Sequence, residues 1–168
     1  MSLSVEEPRE GKPWLSLLAC LTAAYVFNFL ILRAENTGME FWFQTLRKPT
    51  WTLPTVAFAP IWTILSGFLG LAAWQVFTAD PSDAGGRKVR ALILIASYQC
   101  LVTTWAGIYF YWQQRTPALF ICGLALLVAV AATWAAFKTK GSAGWLVTLS
   151  AIWVAYLVAL SFAAQPPA

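Results

Sequence analysis

The chain of 168 residues is 60% hydrophobic and 11% charged, with a net charge of +4 and a mean hydropathy of +0.66. Soluble domains carry about 25% charged residues, so a soluble domain is excluded, and the modest positive charge suits an anionic membrane surface rather than nucleic acid. Histidine is absent, which removes imidazole metal sites, histidine-ligated haem and histidine acid–base catalysis.

Residues 1–12 are polar and Glu-rich and lack the layout of a signal peptide. They read as a disordered tail ahead of a single domain, 13–168. No charged side chain occurs in 13–32, 49–79, 91–114, 116–137 or 141–168. Each run is long enough to cross the roughly 30 Å hydrocarbon layer as a helix, which takes about 20 apolar residues. The predicted helices cover 13–32, 55–77, 89–112, 117–137 and 145–164. A long first loop, 33–55, holds Arg33, Glu35, Glu40, Arg47, Lys48, Pro49 and Pro54, and 40–46 is apolar enough for a short interfacial helix. The other links are short, which implies antiparallel neighbours. The predicted fold class is an all-α membrane protein, a five-transmembrane-helix bundle.

All the acids (Glu6, Glu7, Glu10, Glu35, Glu40, Asp80 and Asp83) lie outside the charge-free runs. The expectation is therefore no carboxylate at membrane depth and no metal site. Arg9, Lys12, Arg87, Lys88, Arg90, Lys138 and Lys140 fall on one side of a five-span topology. Arg33, Arg47, Lys48 and Arg115 fall on the other. Basic loops are retained inside, which predicts a cytoplasmic N-terminus. Cys20, Cys100 and Cys122 lie within spans at spacings that suggest neither metal nor redox pair, and read as small apolar side chains.

Several small residues recur at four-residue spacing: Ala151, Ala155, Ala159 and Ala163, Ser66 with Gly70, and Ala125 with Ala129. Such ridges let membrane helices approach closely. Packing within the bundle is the expected use of the Ala151–Ala163 ridge, and a homodimer interface is the other reading. On the last helix, Trp153, Tyr156, Leu157, Leu160 and Ser161 share one face.

Ten Trp, eleven Phe and five Tyr make the chain strongly aromatic. The stretch from Trp42 reads WFQTLRKPTWTLPTVAFAPIWTILSGFLGLAAW. With Trp42-Phe43, Leu46, Lys48-Pro49, Trp51, Pro54, Phe58, Pro60-Ile61-Trp62 and Leu65, it resembles the signature of the TspO/MBR family, the tryptophan-rich sensory proteins related to the mitochondrial translocator protein. Further likeness lies at Trp105 to Leu119, Ala143 to Leu146 and Trp153. The resemblance implies a five-helix bundle in which the first loop covers a cavity for tetrapyrroles such as protoporphyrin IX or haem, with no cofactor required. The pocket positions it implies are Trp51, Pro54, Phe58, Ala59, Pro60, Ile61, Trp62, Trp105 and Trp153. The aligned face of the last helix adds Tyr156, Leu157 and Leu160. Trp62 and Trp153 match the pair linked to porphyrin breakdown in light-dependent relatives. They are the candidate catalytic residues if this chain degrades porphyrin.

Indole faces offer large stacking areas to a flat macrocycle, about 0.5–1.5 kcal/mol per aromatic pair beyond area burial. Arg33, Arg47 or Lys48 at the mouth would meet its propionates. Trp42 and Trp74 read instead as belt residues of the membrane interface. Val102, Ile121, Leu157 and Ser161 depart from the family pattern, making the pocket less polar and narrower. No cation follows Tyr156 in the spacing proposed for cholesterol, which argues against a sterol role. The leading expectation is a membrane tetrapyrrole-binding sensor or carrier. The alternatives are a light-dependent porphyrin-degrading enzyme and a structural or regulatory subunit with a closed pocket.

Overall fold

A computed structural model describes residues 13–39, 41–79 and 86–164. The expected tail at 1–12 lies outside the described residues. Helix α1 spans Pro13–Gly38 and is followed by the single turn α2, Trp42–Thr45, which is the short helix expected in the first loop. A 3₁₀ turn at Thr55–Ala57 leads into α3, Phe58–Phe77. Helix α4, Arg87–Ala106, runs on into a π-helical turn at Gly107–Tyr111, and α5 (Arg115–Thr139) and α6 (Gly141–Ala163) complete the chain. Five of these segments are long and apolar enough to cross a membrane. The chain is a multi-pass integral membrane protein with five spans.

The helices close into a ring. α1 packs on α3, α3 on α6, α6 on α5, α5 on α4, and α4 returns to α1. In lipid the hydrophobic effect does not drive helices together, so close packing of small side chains does. Helix α5 supplies it: Ala118, Ala125, Ala129, Ala132 and Ala136 are all fully buried, as expected for Ala125 and Ala129. On α3, Ser66 and Gly70 are buried. A Cβ at Gly70 would lie 3.1 Å from the Cys20 carbonyl oxygen of α1. The Ala151–Ala163 ridge does the opposite of its expected bundle packing. Ala155 and Ala159 are exposed and Ala151 and Ala163 only half-buried, because α6 turns Val147, Ser150, Val154, Leu157 and Ser161 inward instead.

The first helix corrects the sequence reading at its end. It continues past Leu32 to Gly38, and its buried positions Ala24, Asn28, Ile31, Glu35 and Gly38 alternate four and three residues apart along one face. The Met39 N–H still bonds the Glu35 carbonyl at 2.7 Å. Arg33, Glu35 and Gly38 therefore belong to a spanning helix and not to the loop. Helix α6 likewise begins at Gly141, leaving Lys140 as the break after α5. Its first turn meets α5 closely at Gly144, where a Cβ would overlap the Phe137 ring. Among the cysteines, Cys122 is buried, Cys20 half-buried and Cys100 exposed, all as free thiols.

Candidate functional site

Trp62 lies one turn into α3, Trp105 near the end of α4 and Trp153 midway along α6. All three are buried, and they meet. The Trp62 ring centroid is 5.9 Å from that of Trp153, edge to face, and 6.4 Å from that of Trp105. Phe58 adds an edge contact to Trp153 at 5.5 Å, and Tyr156 stacks on Trp153 at 5.1 Å. Offset and T-shaped geometries satisfy the ring quadrupoles. The rings touch one another.

The covering loop reaches the cluster through Tyr156. Trp51 is 48% exposed, yet its ring lies 5.8 Å from Tyr156. The Leu53 N–H donates a 3.0 Å hydrogen bond to the Tyr156 hydroxyl oxygen. Leu157 and Leu160 are buried on the same face of α6, and Ile61 is half-buried against the core. Also expected in the pocket, Pro54 just before the 3₁₀ turn and Ala59 in the first turn of α3 are exposed.

Four aromatic residues of the cluster escaped the sequence reading. The π turn closes with the Trp112 N–H bonded to the Gly107 carbonyl at 3.0 Å. Such a turn inserts a residue into the helical ladder and marks functional sites often. Here it leaves the consecutive Tyr109 and Phe110 both buried. Tyr109 stacks on Trp105 at 5.4 Å, and Phe43 of α2 packs edge-on against Tyr109, Phe110 and Phe58. Trp42, expected in the interface belt, packs on Tyr109 at 4.9 Å and so extends the cluster. Trp74 sits near the far end of α3 and its Nε1–H reaches the Pro13 carbonyl at 3.3 Å. No sequence periodicity marks the π turn, because it breaks the helical period that such reading relies on.

The largest surprise is Glu35. It is 3% exposed, and the Trp62 Nε1–H donates a 2.6 Å hydrogen bond to its Oε1. A carboxyl group therefore lies inside a spanning helix beside the central tryptophan, against the expectation that no acid would. Its burial continues the inward face of α1 from Ala24, Asn28 and Ile31 to Glu35 and Gly38. The Nε1 atoms of Trp105 and Trp153 and the Tyr109 hydroxyl are buried without partners. Each such group carries a desolvation cost of about 1–3 kcal/mol.

At the loop, Lys48 is not a free cation awaiting an anion. Its Nζ donates to the Phe43 carbonyl at 2.9 Å and to Gln44 Oε1 at 3.2 Å, and it sits 4.7 Å over the Phe43 ring. Partial burial lowers its pKa from the usual lysine value. Arg33 and Arg47 are exposed. Arg115 donates to the Ala164 carbonyl, tying the start of α5 to the end of α6. Among the described residues no group of acids and cysteines could hold a metal ion.

Residues 16–165 match the TspO/MBR family. The chain is 30% identical over 123 residues to the uncharacterized membrane protein YtaB of Bacillus subtilis, covering 72% of this chain and 76% of that protein. It is 25% identical over 155 residues to the tryptophan-rich protein TspO of Chlorobaculum tepidum, covering 90% and 95% of the two.

Proposed function

Because the chain belongs to the TspO/MBR family, we propose that it is a membrane tetrapyrrole-binding sensor or carrier, holding a flat ligand among its buried tryptophans beneath the first loop. The observation that carries this reading is the meeting of Trp62, Trp105 and Trp153 from three helices in one contact cluster. Tyr156 joins that cluster to Trp51 and Leu53 of the loop. Protoporphyrin IX or haem acts as ligand, and no resident cofactor is required. The outward-facing Ala155 and Ala159 support a homodimer formed through α6, since exposed small residues allow close helix approach.

The test is a titration of tryptophan fluorescence with protoporphyrin IX in lipid nanodiscs. Saturable quenching that weakens in Trp62→Ala and Trp153→Ala supports the reading. Quenching that is linear in ligand, or indifferent to both substitutions, overturns it. A second reading, photo-oxidation of the porphyrin with dissolved dioxygen as the oxidant, is favoured by the direct edge contact of Trp62 with Trp153, which would let two indoles share the radical formed on the way. Illumination separates the two: loss of the porphyrin spectrum that depends on Trp153 marks degradation, and a stable complex marks binding alone.

A further inference from the structure

We propose that Glu35 is the polar anchor of the aromatic cluster, and that the site selects flat aromatic ligands presenting an N–H donor or a protonated nitrogen. The proposal rests on the reading of the cluster as a ligand site and goes beyond it by naming the ligand chemistry.

A carboxyl group withdrawn from water is stable only when its oxygens are partnered or its charge is met. Trp62 serves Oε1. Oε2 has no hydrogen bond among the described residues, and no described lysine or arginine pairs with Glu35. Lys48, a cation of the covering loop, is held by Phe43 and Gln44. The missing partner is therefore a donor, and a ligand nitrogen is one. The surroundings favour the same class. Trp faces attract cations more strongly than other aromatic rings do, and Trp62, which bonds the acid, has the Trp105 and Trp153 ring centroids 6.4 Å and 5.9 Å from its own.

The two orphan indole donors, Trp105 Nε1 and Trp153 Nε1, add a second criterion: the ligand also carries acceptors. A free-base tetrapyrrole core has both, with pyrrole N–H donors and imine nitrogens. Its metal complex has neither available, because the metal occupies all four nitrogens. The site thus holds the free base more tightly than the metallated macrocycle, which it still accepts by stacking.

The experiment compares two probes of one shape, cationic 9-aminoacridine and neutral anthracene, in nanodiscs of zwitterionic lipid, read by quenching of probe fluorescence. The wild type is expected to bind 9-aminoacridine at least about tenfold more tightly than anthracene, the scale of a hydrogen bond to a charged group. In Glu35→Gln the amide oxygen still accepts from Trp62 but an NH₂ replaces Oε2, and the preference should collapse. Anthracene binding and the melting temperature, both unchanged, show that the variant is folded. A preference that survives in Glu35→Gln, or that is absent from the wild type, overturns the proposal. Protoporphyrin IX and its zinc complex in the same assay separate this from the tetrapyrrole reading. If neither porphyrin binds while 9-aminoacridine still depends on Glu35, the tetrapyrrole reading falls and the anchor stands. If both bind equally, with or without Glu35, the anchor falls and the tetrapyrrole reading stands.

Discussion

The hydroxyl oxygen of Tyr156 accepts the Leu53 N–H at 3.0 Å, while the Tyr156 ring stacks on Trp153 at 5.1 Å. One side chain of α6 thus touches the covering loop and the buried indoles at once, so loop position and cluster packing are mechanically joined. Tyr156→Phe keeps the ring contacts with Trp51 and Trp153 and removes only the acceptor. The expected result is amide exchange at Leu53 faster by about fivefold, the equivalent of one hydrogen bond of about 1 kcal/mol. Hydrogen exchange in nanodiscs measures it, and an unchanged rate at Leu53 would mean that the Trp51 contact alone holds the loop.

Gly38 permits the end of α1 to lie against the π turn. A Cβ there would fall 2.2 Å from the Phe110 carbonyl oxygen, a backbone atom that cannot step aside. Gly38→Ala should cost about 1–3 kcal/mol, as forced overpacking does, and should displace Tyr109 from Trp105. Gly107→Ala is the control. It lies in helical backbone with nothing within 4 Å of its Cβ position, and is expected to be neutral or stabilising by up to about 1 kcal/mol. Thermal melts of the two variants decide the point, and equal melting temperatures would refute the close-approach argument.

Leu157 is buried beside Trp153 and Tyr156 on α6. Leu157→Ala should lower stability by about 2–4 kcal/mol through the space it opens. The same space should tighten protoporphyrin IX binding if the side chain narrows the site. Weaker binding in a variant that still melts cooperatively would show Leu157 to be part of the ligand surface.

The two alanine ridges are predicted to respond in opposite ways. Ala129→Phe on α5 enters a fully buried position and should prevent assembly of the bundle. Ala159→Phe on the exposed side of α6 should change the stability of the single bundle by no more than about 0.5 kcal/mol and block the dimer proposed through α6. Light scattering of the purified protein reads the mass. A dimer that persists in Ala159→Phe would move its interface elsewhere.

Orientation is open to a separate measurement. The basic residues Arg87, Lys88, Arg90, Lys138 and Lys140 of the second and fourth loops should stay on the cytoplasmic side. A reporter fused after α6 should then be active only on the opposite side, and cytoplasmic activity of that fusion would reverse the assignment.

The five spans, the short helix in the first loop and the tryptophan positions were legible in the sequence. Uncharged runs of bilayer length and the Trp42 to Trp74 motif depend on composition and order alone. Trp62, Trp105, Trp153 and Tyr156 meet in one aromatic cluster, whereas Pro54 and Ala59 are exposed. Glu35 is not placed by charge, because a charged residue does not end the first helix. Its backbone ladder instead continues to Gly38, and the acid is tolerated because Trp62 donates to it.

What the sequence by itself determined is that this chain crosses a bilayer five times and carries the tryptophan-rich motif of its family. What only the tertiary structure decided is which side of each helix faces inward: the α5 alanines rather than the α6 ridge, Tyr109 and Phe110 together through the π turn, and Glu35 against Trp62. The reason is physical. Lipid tails are as apolar as the protein interior, so hydrophobic pattern does not separate core from surface in a spanning helix. Only side-chain shape and the pairing of the few polar atoms do, and both are settled between helices rather than along them.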